Sequence, residues 1–177
     1  MLDIILILVA VIVLIILALA SRQPDTFQVS RSISMEAPPA TVFTQINDLQ
    51  NWQAWSPWAK LDPNAKNSFS GPQAGAGANM SWAGNNKVGE GSMTIVESHP
   101  HDLIRFKLDF LKPFKASNTA EFTFTSAGEN TIVVWSMSGK NNFIGKLMSL
   151  IMNCDKMVGG QFEQGLSAIK SIVEEAG

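Results

Sequence analysis

The chain has little of several residue types on which common protein chemistries depend. Its 177 residues include one cysteine, two histidines and no tyrosine. A single cysteine, Cys154, excludes an intramolecular disulfide and a zinc site built from several cysteines. Thirteen basic against fifteen acidic residues give a formal charge of −2, and no run of Lys or Arg is present. The basic footprint of a nucleic-acid-binding protein is therefore missing, and we expect neither a nucleic-acid partner nor a metal site.

Apolar residues are concentrated at the N-terminus. All but one of the first 20 residues are apolar, and the run from Ile4 to Ala20 is unbroken. At about 1.5 Å per residue the segment reaches roughly 27 Å, close to the hydrocarbon thickness of a bilayer. This pattern predicts a transmembrane anchor over residues 1–20. A cleaved signal peptide is the alternative, because Ala18-Leu19-Ala20 fits a small-x-small cleavage site.

Two arginines decide the expected orientation of this anchor. Arg22 and Arg31 follow the apolar segment, whereas no Lys or Arg precedes it. Because basic residues favour the cytoplasmic side, we expect a single-pass protein of a bacterial inner membrane with a cytoplasmic domain. Residues 21–25 are polar and form the expected linker. The remaining residues, 26–177, are then one soluble domain.

Hydrophobic periodicity predicts an α+β domain. Apolar residues alternate from Phe27 to Met35, which is typical of a half-buried strand, and a short helix should follow Ala37-Pro38-Pro39. Trp52, Trp55 and Trp58 are spaced three residues apart, which places them near one face of a further short helical segment. Alternating runs then predict an antiparallel meander with one apolar face. These runs cover residues 79–83, 88 onward, 104–110, 120–124 and 131–140.

Glycines are frequent between Gly71 and Gly91. Gly75-Ala76-Gly77 is not followed by the third glycine of a dinucleotide-binding loop, because Met80 occupies that position. We therefore expect no nucleotide cofactor, and indeed no cofactor of any kind. The glycines at 89 and 91 instead predict a bulge, or a point where another backbone or a ligand comes close.

The C-terminal segment should cover the apolar face of the sheet. Apolar residues from Val158 to Val173 recur at steps of three and four, which predicts a long amphipathic helix capped by Asn153 or Asp155. Gly159, Gly160 and Gly165 interrupt it, and we interpret all three as sites of close approach to the sheet. A shorter apolar helix over 144–152 should precede it, with Cys154 buried.

The order of these elements resembles the START-like helix-grip fold, and the local sequence resembles the polyketide cyclase/dehydrase-like branch of the SRPBCC superfamily. The resemblance covers roughly residues 26 to 175. The residues that carry it are Ala37-Pro38, Val42-Phe43, Asp48, Asn51-Trp52, Trp55-Ser56-Pro57-Trp58, Gly89-Glu90-Gly91, Asn118-Thr119-Ala120-Glu121, Trp135, Met157, Phe162, Gly165-Leu166 and Ile169-Lys170.

This resemblance implies a curved antiparallel sheet wrapped around the long C-terminal helix, with an apolar cavity between them. Members of the family bind lipids, sterols, polyketides or other hydrophobic molecules, and a minority catalyse reactions on them. We therefore expect a hydrophobic small molecule or lipid as the partner. The expected ligand-binding residues are Trp55, Trp58, Trp82, Met93, Phe106, Phe122, Phe124, Trp135, Met137, Met157, Phe162 and Leu166.

Catalytic residues are hard to find in this sequence. His99 and His101 flank Pro100 and are expected in an exposed turn, and no Gly-x-Ser-x-Gly elbow is present. Glu97 shares the parity of Met93 and Ile95, and Glu90 lies between two glycines, so these two are the candidate acid or base groups of a cavity. Three functions stay open. They are a membrane-tethered binding protein, a cyclase, dehydrase or hydrolase, and a protein-interaction module.

Overall fold

This computed structural model describes residues 2–175 of the chain, which contain seven strands and six helices. The strands are β1 (Thr26–Met35), β2 (Lys66–Ser70), β3 (Asn79–Ala83), β4 (Glu90–His99), β5 (Leu103–Lys112), β6 (Ala116–Ala127) and β7 (Asn130–Lys140). The helices are α1 (Leu2–Ser21), α2 (Pro39–Asn47), α3 (Trp52–Trp55), α4 (Pro57–Leu61), α5 (Phe143–Ser149) and α6 (Cys154–Glu175). Met1, Ala176 and Gly177, which the expected anchor and domain include, lie outside the described residues.

The strands form one antiparallel sheet in the order β1-β7-β6-β5-β4-β3-β2. Alternation within the longer strands creates an inner face, to which Ile104, Phe106, Phe122 and Trp135 contribute buried side chains. The predicted meander and its apolar face are confirmed. Strand β2 was not expected, because Phe69 is its one large apolar residue. It is the outermost strand and is largely exposed, so its sequence does not alternate between apolar and polar residues.

Helix α6 packs across the inner face, and two of its glycines explain how closely. A Cβ atom at Gly165 would lie 2.7 Å from Cζ3 of Trp135, and one at Gly159 would overlap the guanidinium of Arg31. Close approach is therefore confirmed at these two positions. The expectation of close approach is wrong at Gly160, where a Cβ would meet nothing within 4 Å. The Asn153 side chain caps the helix by accepting a hydrogen bond from the Lys156 N–H at 3.0 Å.

Arg31 joins the start of α6 to β1. Its Nε donates to Glu163 at 2.7 Å and its Nη2 donates to Asp155 at 3.0 Å. The hydrogen bond from Arg31 lowers the pKa of Asp155, and both carboxylates raise the pKa of Arg31. Asp155 therefore serves this ion pair, and Asn153 is the cap.

Helix α1 is long and apolar enough to cross a membrane by length and composition, a test that a signal sequence also passes. Ala20 near its end is fully buried, whereas the apolar side chains before it are exposed.

Helix α5 contacts α1. It ends at Ser149, three residues before the expected boundary, and Cys154 is half-buried rather than buried.

Candidate functional site

A cavity of about 320 Å³ lies between the inner face of the sheet, α6 and the two short helices α3 and α4. Its volume is at the lower end of the range for sites that hold small organic ligands. The apolar and aromatic part of its wall consists of Trp52, Trp58, Ala59, Ala65, Met80, Trp82, Val88, Met93, Phe106, Leu108, Phe110, Pro113, Ala120, Trp135, Met137, Val158 and Phe162. Gly89 and the polar residues Gln53, Ser56, Asp62, Asn67, Lys87 and Lys112 complete it.

Strand register shows where the cavity reaches the surface. The start of β1 pairs with the end of β7, and the end of β5 pairs with the start of β4. These strand ends therefore lie in one row, across the sheet from β1 toward β2, and this row forms one edge of the sheet. Lys87, Val88, Lys112 and Pro113, which all line the cavity, belong to connections or strand ends at this edge. We call it the mouth edge. The turns at the opposite edge contribute none of the residues that line the cavity.

Trp135 lies at the centre of the aromatic packing. Its ring stacks on Phe162 with centroids 4.1 Å apart and on Phe122 with centroids 4.7 Å apart. Trp58 approaches it edge-on at 5.8 Å. These stacked and edge-to-face contacts restrict the orientation of the indole.

The indole N–H of Trp135 is buried and has no hydrogen-bond acceptor among the residues that the structure describes. The buried indoles of Trp52 and Trp55 and the half-buried indole of Trp82 differ. Nε1 of Trp52 donates to the carbonyl of Ile46 at 2.9 Å, Nε1 of Trp55 donates to that of Gln45 at 3.1 Å, and Nε1 of Trp82 donates to that of Val88 at 3.1 Å. A buried donor without an acceptor is destabilising, and a ligand that supplies the acceptor would remove that cost. Because Trp135 also lines the cavity, its N–H is a candidate donor to a ligand, beside the polar side chains of the wall.

Seven of the twelve expected ligand-binding residues line the cavity. They are Trp58, Trp82, Met93, Phe106, Trp135, Met137 and Phe162. Trp55, Phe122, Phe124 and Leu166 lie instead in the hydrophobic core, without reaching the cavity. Met157 is about half exposed on the surface of α6, so the expectation that it faces the cavity is wrong.

Several lining residues were not expected. Trp52 and Trp55, one helical turn apart, both belong to the hydrophobic core, but only Trp52 also lines the cavity. Phe110 could have been found, because it shares the face of Phe106 and Leu108 on β5. Met80 could not, because its place opposite Met93 depends on the register of β3 against β4.

Glu97 does not face the cavity, and the expectation from alternation is wrong. The register between β4 and β5 shifts between Ile95 and Glu97, because Val96 is an additional residue in a bulge. This shift turns Glu97 to the outer face, where Arg105 donates to its carboxylate and His99 contacts it at 2.6 Å. Arg105 also donates to Glu121 at 2.5 Å, so Glu97, Arg105 and Glu121 form an ion-pair network on the outer face.

Glu90 lies at the mouth edge but outside the lining of the cavity. Nζ of Lys112 donates to its carboxylate at 2.7 Å, and Lys112 itself lines the cavity. A second register shift separates Glu90 from Gly91. A Cβ at Gly91 would lie 2.6 Å from Cζ2 of Trp82, so the glycines here mark both the expected bulge and a close contact.

The two histidines lie where the sequence predicted them. His99 ends β4 and His101 follows in the turn to β5, and both are exposed. The ring of His101 packs edge-on against Phe43 at 5.7 Å. Within residues 2–175, no cluster of three or more His, Cys, Asp or Glu side chains suits a metal ion.

Comparison with known proteins adds a family and a fold. Residues 26–174 match the family model described as polyketide cyclase / dehydrase and lipid transport. No curated protein matches the sequence significantly. Many solved structures are similar.

Two bacterial structures illustrate the likeness. Protein CV1439 from Chromobacterium violaceum is 15% identical with a TM-score of 0.60, over 86% of this chain and 99% of that one. The Aha1 dimer from Colwellia psychrerythraea is 14% identical with a TM-score of 0.56, over 84% and 96%.

One domain of a larger protein is similar as well. The di-domain ARO/CYC protein BexL, from the BE-7585A biosynthetic pathway, is 16% identical with a TM-score of 0.61, over 89% of this chain and 53% of that one. At these identities the three structures show a shared helix-grip fold.

Proposed function

The chain belongs to the polyketide cyclase / dehydrase and lipid transport family, and from that membership we propose that it binds a hydrophobic small molecule or lipid in the cavity beneath α6. In this proposal α1 stays attached and holds the domain at a membrane. The tether raises the local concentration of the domain at a reservoir of hydrophobic molecules.

The observation that carries this proposal is the composition of the cavity wall. Seventeen of the 24 lining residues are apolar or aromatic, and Trp135 adds one buried N–H without a protein acceptor in the described part of the chain. Such a wall gains free energy by removing apolar ligand surface from water, and the unpaired N–H of Trp135 favours a ligand that carries an acceptor. A molecule with an apolar body and one carbonyl, ester or hydroxyl oxygen fits both features.

The test is direct recovery of the ligand. The full chain is purified from membranes in mild detergent and extracted with organic solvent, and the extract is analysed by mass spectrometry. Ala59 of α4 is half-buried and lines the cavity, so Ala59→Trp should fill it. Ala54 of α3 is exposed and does not line the cavity, which makes Ala54→Trp the matched control.

We expect one apolar molecule per chain from the wild type and from Ala54→Trp, with a large loss from Ala59→Trp. Recovery of equal amounts from both variants would overturn the proposal. So would an extract of the wild type that contains no apolar molecule.

Catalysis on such a molecule is the alternative function. Within residues 2–175, Asp62 carries the one carboxylate that lines the cavity. Its two oxygens accept hydrogen bonds from the backbone N–H groups of Asn64 and Asn85, at 3.1 and 2.6 Å. Turnover that is lost in Glu90→Gln, beside the lining residue Lys112, would favour an enzyme. A protein that co-purifies only with the intact domain would favour an interaction module.

A further inference from the structure

Exposed apolar side chains gather at the mouth edge. Leu111 near the end of β5 and Phe114 in the β5–β6 turn have 56% and 57% of their surface exposed, and Ile151 after α5 is 81% exposed. We define the apolar collar as Leu111, Phe114, Phe143, Ile144, Met148 and Ile151. Met157 is exposed in the first turn of α6, close to the collar in sequence. Of the other exposed large apolar residues described after α1, Phe69, Val96 and Ile132 lie elsewhere.

Helix α1 leaves the domain at this same edge. It ends at Ser21, and β1 begins at Thr26, so the four residues between them span at most about 18 Å when extended. The backbone N–H of Asn141 donates to the carbonyl of Asp25 at 2.8 Å, and Lys146 of α5 pairs with the Asp25 carboxylate. These contacts fix the linker against α5 and restrict how the domain can turn about α1.

Charge is distributed unequally between the two edges. The connections and strand ends of the mouth edge carry Arg22, Lys87, Lys112, Lys115 and Lys140. Of its acidic groups, Asp25 and Glu90 are paired with lysines, and Asp62 accepts the backbone N–H of Asn85. The connections at the opposite edge contain no Lys or Arg, and their acidic residues are Glu36, Asp48, Asp102 and Glu129.

We propose that the apolar collar and the surrounding lysines dock onto a bilayer surface that carries anionic lipid headgroups. Apolar side chains that penetrate the headgroup region, next to basic residues that attract anionic lipids, are the features of interfacial membrane binding. Docking at this edge turns the mouth of the cavity toward the lipid. The inference rests on the proposed function, because retention of α1 in the membrane is what brings this edge to the surface.

The experiment uses the full chain in lipid nanodiscs with one chain per disc, which prevents docking between two copies. In a Cys154→Ser background, single cysteines replace Phe114 or Ile151 and are labelled with an environment-sensitive fluorophore. Phe69 and Ile132, which are exposed apolar residues outside the collar, give the matched control positions. Discs of phosphatidylcholine with and without phosphatidylglycerol are compared, and lipids that carry a spin label near the headgroup serve as quenchers.

The expected result is a shift to shorter emission wavelength and strong quenching at positions 114 and 151, enhanced by phosphatidylglycerol, with neither change at 69 and 132. Equal behaviour at all four positions would overturn the proposal. A shift to shorter emission wavelength at 114 and 151 without quenching by the spin-labelled lipid would also overturn the proposal, and it would indicate a protein partner. Recovery of a chain cleaved after Ala20 would remove the basis for docking.

The two proposals have separate readouts. Ligand recovered by mass spectrometry together with unquenched collar positions supports binding and rejects docking. Quenched collar positions with an empty cavity reject binding and support docking.

Discussion

Gly165 of α6 lies against the six-membered ring of Trp135, close enough that a Cβ at position 165 would be 2.7 Å from Cζ3. Pro57 lies on the same side, with its Cδ 3.3 Å from that Cβ position. The missing side chain therefore sets the distance between α6 and the sheet. Because Trp135 and Phe162 both line the cavity, the same contact sets the height of the cavity.

Gly165→Ala should destabilise the fold. The added methyl group must displace a buried indole or α6 itself, and such overpacking costs about 1 to 3 kcal/mol. Gly160→Ala in the same helix is the matched control, since its Cβ meets nothing within 4 Å and alanine favours a helix by about 1 kcal/mol. Thermal unfolding followed by circular dichroism should show a lower Tm for the first variant and a higher one for the second. Equal shifts would contradict the role of Gly165.

Removal of the Trp135 N–H should weaken ligand binding without weakening the fold. Benzothienylalanine has nearly the shape of tryptophan but lacks this donor, so its incorporation at 135 removes a buried group that has no described protein partner. We expect retention of the bound molecule to fall by about tenfold, as for one lost hydrogen bond. Ligand content is measured on the purified protein, and the Tm is measured on protein freed of its ligand, because loss of a bound ligand by itself lowers the Tm.

The same replacement at Trp82 provides the control. Its Nε1 donates to the carbonyl of Val88, so the loss should lower the Tm by leaving a carbonyl without its donor. Unchanged ligand content at 135 would show that the Trp135 N–H does not contact the ligand.

Acid should loosen the start of α6. Arg31 lowers the pKa of Asp155 from 3.8, so the ionised carboxylate is favoured in the folded state. Its stabilising contribution is complete above about pH 4 and is lost as the pH falls through the lowered pKa. Asp155→Asn should therefore reduce the Tm at neutral pH and flatten its decline below pH 4. Glu129→Gln in the β6–β7 turn is the control, and an identical profile for both variants would contradict the prediction.

The N-terminal helix should be retained, with the domain in the cytoplasm. Arg22 and Arg31 follow the apolar segment, and basic residues near a span remain on the cytoplasmic side. Intact-mass measurement of the membrane-extracted protein should give the mass of an uncleaved chain. A phosphatase fused at the C-terminus should be inactive, whereas a fluorescent protein there should be bright. A mass that corresponds to cleavage after Ala20 would favour the signal peptide instead.

Local sequence patterns determined most of the fold. Alternation on β5, where Ile104 and Phe106 are buried, and the helical stripe that includes Phe162 and Leu166 both depend on neighbouring residues along the chain. Each element therefore has its own signal, and the family resemblance supplied their arrangement. The hydrogen-bonding role of Asn153 follows from its place just before α6, and it too could be predicted.

The candidate site was only partly predictable, because alternation assumes an uninterrupted ladder. The bulge at Val96 adds one residue and reverses the faces that follow it, so Glu97 lies outside although its parity places it inside. Trp52 and Trp55 show a similar limit. They lie one helical turn apart and both belong to the core, yet Trp52 lines the cavity and Trp55 does not.

The sequence by itself determined an apolar N-terminal segment, an α+β domain with a gripping C-terminal helix, and the lack of residues for a disulfide. Tertiary structure alone decided which aromatic side chains surround the cavity, that Trp135 keeps an N–H without a described protein partner, and that the exposed apolar residues share an edge with α1. The physical reason is that periodicity records which face of an element is apolar, whereas a cavity and a surface depend on the register and packing between elements far apart in the chain.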